Sequence, residues 1–161
     1  MDYKKILNKH TNKFLKNMLF QGANNASLMI YTNKKISFYE STSSKWQDFY
    51  SSAKESQKCH IAQLGIELVK QNRDFSIIWN SITPLNDESE YLNEKREQYQ
   101  HCNGISICNR LSDNSLFGII LTGKRHDTNF ATQVIKNKGS FSNEVNYIKM
   151  LTNAYIQQKS F

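Results

Sequence analysis

Across residues 4–21 apolar side chains recur at intervals of three and four: Ile6, Leu7, His10, Phe14, Leu15 and Met18, with lysine and asparagine between them. That period predicts an amphipathic helix, and Gly22 is its stop. The pattern then shortens. ASLMIY (26–31) and KISFY (35–39) are strand-like runs joined through Thr32-Asn33-Lys34, which reads as a β-hairpin. The serine cluster at 41–44 ends the second strand and supplies a cap for a short helix carrying Trp46, Phe49 and Tyr50. Residues 59–71, with Ile61, Leu64, Gly65, Leu68 and Val69, return to helical spacing, and FSIIW (75–79) is a short strand. Pro84 and Asn86 mark a turn before a charged helix at 87–100, acidic at its start and basic further along, as the helix dipole favours. GISIC (104–108) and LFGIIL (116–121) form a second hairpin around Ser112-Asp113-Asn114. Residues 123–141 read as loop, and a last helix at 143–158 presents Val145, Ile148, Leu151, Ala154 and Tyr155 on one face.

Helix, hairpin, two helices, strand, helix, hairpin, helix is the order of an α+β fold: a central antiparallel five-stranded sheet with helices on both faces, an α-β-α sandwich. Without a repeat or linker in its 161 residues, the chain reads as a single domain, 1–161. The composition, 39% hydrophobic and 22% charged, is that of a globular protein rather than a disordered one. No run approaches bilayer-spanning length. The first twenty residues lack the apolar core and cleavage site of a secretory leader. A cytoplasmic chain with no membrane partner is expected.

Charge and cysteines narrow the chemistry. The net charge of +7 is spread over separated lysines (Lys4, Lys5, Lys9, Lys13 and Lys16 in the first helix), with no helix-turn-helix pattern, so it reads as a solvated surface. Cys59, Cys102 and Cys108 are odd in number and lack CxxC spacing, which supports neither disulfides nor a zinc site; they read as buried thiols. In Cys59-His60 and His101-Cys102, neighbours on a helix point about 100° apart, a poor geometry for a nucleophile and its base. Asp87, Glu88, Glu90, Glu94 and Glu97 spread over a solvated helix and make no catalytic dyad. The expectation is a non-enzyme with no cofactor and no metal. Trp46 and Tyr50, four apart on one helical face, can line a common wall with polar tips among apolar surroundings, an arrangement suited to a small amphipathic ligand. The alternative is that they, with Trp79, are core aromatics.

Taken together, Trp46-x-x-x-Tyr50, Trp79 ahead of the charged helix, Tyr91 through Arg96, and Gly104-Ile-Ser-Ile leading to Phe117-Gly-Ile-Ile-Leu121 resemble the N-terminal autoinducer-binding domain of LuxR-type quorum-sensing transcription regulators. The resemblance extends over most of the chain and agrees in order and approximate spacing in four places. It implies a PAS/GAF-like sandwich, a role in transcription regulation by quorum sensing, signal binding coupled to folding, and a homodimer. It also implies that Trp46 and Tyr50 donate hydrogen bonds to ligand carbonyls, that Trp79 walls the head-group end, and that Ile120 lines the pocket. Gly104 reads as a structural glycine at a strand start.

The sequence departs from that family in three ways. The Asp-Pro pair that acyl-homoserine lactone sensors carry about nine residues after the tyrosine is replaced by Cys59-His60, which makes His60 the candidate hydrogen-bonding replacement. Ile120 stands where some members place a hydroxyl, and the Tyr50–Trp79 interval is longer than usual. The ligand is therefore an acyl-homoserine-lactone-like molecule or another small amphipath. No DNA-binding helix-turn-helix domain follows the 143–158 helix; the chain reads as an excised or a stand-alone sensor, with DNA contacted only through such an absent C-terminal domain. Rival readings are an interaction domain whose pocket its own side chains fill, a small cysteine-dependent enzyme, and a direct nucleic-acid binder.

Overall fold

In the central strands large and small side chains alternate, and this sorts the molecule into two unlike layers. A computed structural model describes residues 1–32, 35–51 and 58–159. Its elements are α1 (Tyr3–Phe20), β1 (Asn25–Thr32), β2 (Lys35–Ser41), α2 (Ser44–Ser51), α3 (His60–Val69), β3 (Asp74–Ile78), α4 (Asp87–Gln98), β4 (Cys102–Arg110), β5 (Leu116–Gly123), α5 (Phe130–Asn137) and α6 (Ser142–Lys159). All five strands pair antiparallel in the order β2-β1-β5-β4-β3. This is the expected α-β-α sandwich. The tip of the first hairpin, residues 33 and 34, lies outside the described residues.

One face carries Leu28, Ile30, Ile105, Ile107, Phe117, Ile119 and Leu121 against Leu7, Phe14, Leu15 and Met18 of α1 and Val145, Ile148, Leu151 and Tyr155 of α6. The spacing of those helical residues is the one read from the sequence, and α1 and α6 pack side by side over the sheet. This dry, large-residue layer is the main stabilising core; each fully buried Leu, Ile or Phe contributes roughly 1.5–3 kcal/mol. The opposite face is covered by α2, α3 and α4.

Residues 123–141, expected to be loop, instead form α5 and a 3₁₀ turn, Lys138–Phe141. The helix is short and has no side-chain N-cap bond, yet Phe130, Ala131, Val134 and Ile135 recur at helical spacing, a signal the sequence carried. Gly123 lacks a side chain where a Cβ would lie 2.6 Å from Phe130 Cγ, and that gap seats the start of the helix against the end of the central strand β5.

The end of α4 aims the strand that follows. The His101 N–H bonds to the Arg96 carbonyl (2.8 Å) and the Gln100 N–H to that of Glu97 (3.0 Å), the paired bonds of a Schellman stop. Gln100 takes the left-handed conformation (φ 61°) usually given to glycine. Asn24 Nδ2 donates to the Gln100 carbonyl at 2.8 Å and ties the turn to the start of β1. Gln100→Gly is expected to raise unfolding stability by roughly 0.5–1 kcal/mol, as it removes the Cβ clash. Urea denaturation measures this, and a loss of stability would show the turn to be unstrained.

Candidate ligand pocket

On the inner face of the sheet the same alternation places small residues where the outer face has large ones. Ile120 pairs with Ser27 on one side and Ser106 on the other; in the next row Gly118 lies between Met29 and Cys108. Glycine and serine beneath a layer of helices leave space unfilled. A Cβ built on Gly118 would meet no side chain within 4 Å, so this residue is an open floor.

Aromatic rings form the roof. Trp46 and Tyr50, both buried, stack with centroids 5.4 Å apart at 24°, and His101 lies 4.8 Å from the Trp46 ring. The Trp46 Nε1–H donates to Tyr39 Oη at 3.0 Å, and the Ser27 and Ser41 hydroxyls continue the network from Tyr39. On the far side the Trp79 Nε1–H donates to Ser106 Oγ at 2.9 Å. Gly104 permits this, since a Cβ there would lie 2.2 Å from Trp79 Cε3. It sits just inside β4, beside an irregularity where Asn103 has a φ of 49°. Both indole donors are thus held by protein acceptors, and a ligand carbonyl reaching Trp46 would replace the Tyr39 hydroxyl. Burial pushes the Tyr39 phenol up to about 12, and burial, followed by the charge of Cys59, holds Tyr50 well above its ordinary value. Both are neutral donors at physiological pH.

Between the two indoles lies Arg96, 4% exposed. Its guanidinium carbon is 5.0 Å from the Trp79 ring centroid and 5.9 Å from that of Trp46. Nη2 donates to Cys59 Sγ at 2.8 Å and Nη1 to Asn93 Oδ1 at 3.0 Å. The same sulfur caps α3 by accepting the Ala62 N–H. Arg96 was not singled out from the sequence, where it reads as the basic end of a charged helix. The available signal was its spacing: Ser89, Leu92 and Arg96 are the buried residues of α4, at i, i+3 and i+7.

Of the residues expected at the site, Trp46, Tyr50, Trp79 and Ile120 line this one pocket, joined by Cys59, Arg96, His101 and the small floor residues. His60 is placed elsewhere, in an adjoining groove with Leu64, Ile82 and Leu85. It is 3% exposed, and neither ring nitrogen has a partner. Burial and then the Arg96 charge lower its pKa. His101 Nε2 is also unpartnered, and burial, followed by the Arg96 charge, brings His101 down to about 4. The atom-free space among the lining residues is about 530 Å³, of which about 30 Å³ admits the centre of a water molecule. That is room for a few waters, well below the several hundred Å³ of a formed ligand site. The pocket is closed down, and an occupant of any size must displace side chains.

The fold is shared with an N-acylhomoserine lactone dependent LuxR family transcription factor, CepR2 from Burkholderia cenocepacia. The two align with a TM-score of 0.56 over 85% of this chain and 76% of that one, at 12% identity. At that identity the likeness is one of fold. No protein-family model matches the sequence, and no curated protein matches it. Among the described residues no group of three metal-ligating side chains gathers, and no helix is long and apolar enough to cross a membrane.

Two outcomes follow from this geometry. Gly104→Ala is expected to destabilise the protein by roughly 1–3 kcal/mol, since Trp79 must move, and to change tryptophan emission; an unchanged spectrum would mean the ring has slack. His101 is neutral when folded, but its unfolded form takes up a proton below about 6.5. Stability is therefore lost as pH falls from about 6.5 to 4, by about 3 kcal/mol from this group, and levels off below. Denaturant midpoints against pH should flatten over that window in His101→Gln; identical slopes would refute the assignment.

Proposed function

We infer that this chain is the small-molecule signal-binding domain of a LuxR-type transcription regulator, with ligand binding coupled to folding and to homodimerisation. The observation that carries the reading is the inner face of the sheet, with a small-residue floor of Ser27, Ser106 and Gly118 beneath an aromatic roof of Trp46 and Tyr50. The fold shared with CepR2 supports the same reading. In it, Trp46, Tyr50, Trp79 and Ile120 contact the ligand, with His60 behind the pocket wall. DNA is contacted through a separate helix-turn-helix domain, and α6 passes the ligand-bound state on to it. Binding of ligand to the folded form alone stabilises it by mass action.

A second reading, an interaction domain whose pocket is filled by its own rings, draws on the closed-down volume. A cysteine-dependent reaction has less to rest on. The sulfur of Cys59 is engaged with Arg96 and the start of α3, and no hydrogen bond joins His60 to it.

Thermal denaturation against a panel of acyl lactones and related amphipaths separates the readings. A ligand at about a hundred times its Kd should raise the Tm by roughly 5–10 °C. Gly118→Val, which fills the floor from a position with open space above it, should abolish the rise. No shift with any compound, or an equal shift in Gly118→Val, would favour the self-filled domain.

A further inference from the structure

We propose that the ligand of this pocket is an organic anion, an apolar body bearing a carboxylate that pairs with Arg96. This rests on the pocket being a small-molecule site and adds the chemistry of its occupant.

Arg96 is a buried cation, and among the described residues no carboxylate lies within ion-pair distance of it. A guanidinium offers five N–H donors in a planar fork. Two hydrogen bonds are made, to Cys59 and Asn93, and Nε has no partner. The indoles on either side supply cation–π attraction without supplying an acceptor. Of the other titratable groups around it, Tyr39, Tyr50, His60 and His101 are held neutral near pH 7, and the Cys59 thiol faces it as a hydrogen-bond acceptor at 2.8 Å. Buried charges are normally paired, and a planar fork with a free Nε is the geometry that binds a carboxylate in two-pronged fashion.

The position of Arg96 also suits a head group. Arg96 and Trp79 line both the inner pocket and an outer polar cleft of about 290 Å³, whose walls include Asn80, Asn93, Glu97 and Arg125. An anion can approach Arg96 from that cleft past one acid, Glu97, and a second guanidinium. The apolar remainder then lies over Met29, Ile77, Leu116 and Ile120.

The test compares octanoate and decanoate with their primary amides, which match them in shape and lack the charge. Affinity at pH 7.5 is read from tryptophan emission and calorimetry on the unaltered protein. The carboxylates should bind at least tenfold more tightly, and Arg96→Met should bring the ratio to within about twofold. Arg96→Lys, which keeps the charge, should retain a preference and serves if the methionine variant fails to fold. Equal affinity of acid and amide in the unaltered protein, or a preference that survives Arg96→Met, overturns the proposal. Binding of neutral amides or acyl lactones alone, lost in Gly118→Val, overturns the anion and leaves the sensor reading intact. Binding of neither series overturns both.

Discussion

Arg96 reaches from α4 to lie between the indoles of Trp46 and Trp79 while donating to Cys59 and Asn93, so one side chain touches α2, the head of α3, the turn after β3 and its own helix. Those four pieces form the roof, where the rings of Trp46 and Phe49 also meet Tyr99 and His101 at the end of α4. Removing water from a guanidinium is costly unless its surroundings compensate. Here the compensation is partial: two ring faces, a sulfur and an amide oxygen. The roof is therefore organised around an electrostatic demand that the protein meets only in part, whereas the outer layer is held mainly by apolar packing.

The two faces of the sheet divide the work. The outer face is filled with Leu, Ile and Phe against α1 and α6, and its energy comes from area removed from water. The inner face has a floor of small residues, Ser27, Ser106 and Gly118, beneath the rings of Trp46 and Tyr50. The outer core thus carries most of the packing energy, and the inner face closes down over its small residues to leave about 30 Å³ open to water.

Polar groups around the hollow are arranged as exchangeable pairs. Both indole N–H groups are satisfied by hydroxyls, Tyr39 for Trp46 and Ser106 for Trp79. A ligand acceptor can substitute for either at small net cost, because one hydrogen bond replaces another.

The periodicities of α1, α3 and α6, the two hairpins and the α+β order were legible in the sequence because each is a local pattern with a period of its own. The aromatic roof was legible through the spacing of Trp46 and Tyr50. The small residues of the floor were visible too, in GISIC and LFGIIL, but a glycine or serine in a strand says nothing alone; its meaning came from registering Ser27, Ile120 and Ser106 in one row. Helix α5 escaped although Phe130, Ala131, Val134 and Ile135 recur at helical spacing, and Arg96 escaped because an arginine in a charged helix looks solvated until the indoles close over it. The chain alone determined its elements and their amphipathic faces, since these follow from neighbours within a turn or a strand. Only the tertiary structure decided which side chains share the pocket, and that Arg96 has no carboxylate beside it among the described residues, because both depend on residues brought together from all five strands and from α2, α3 and α4.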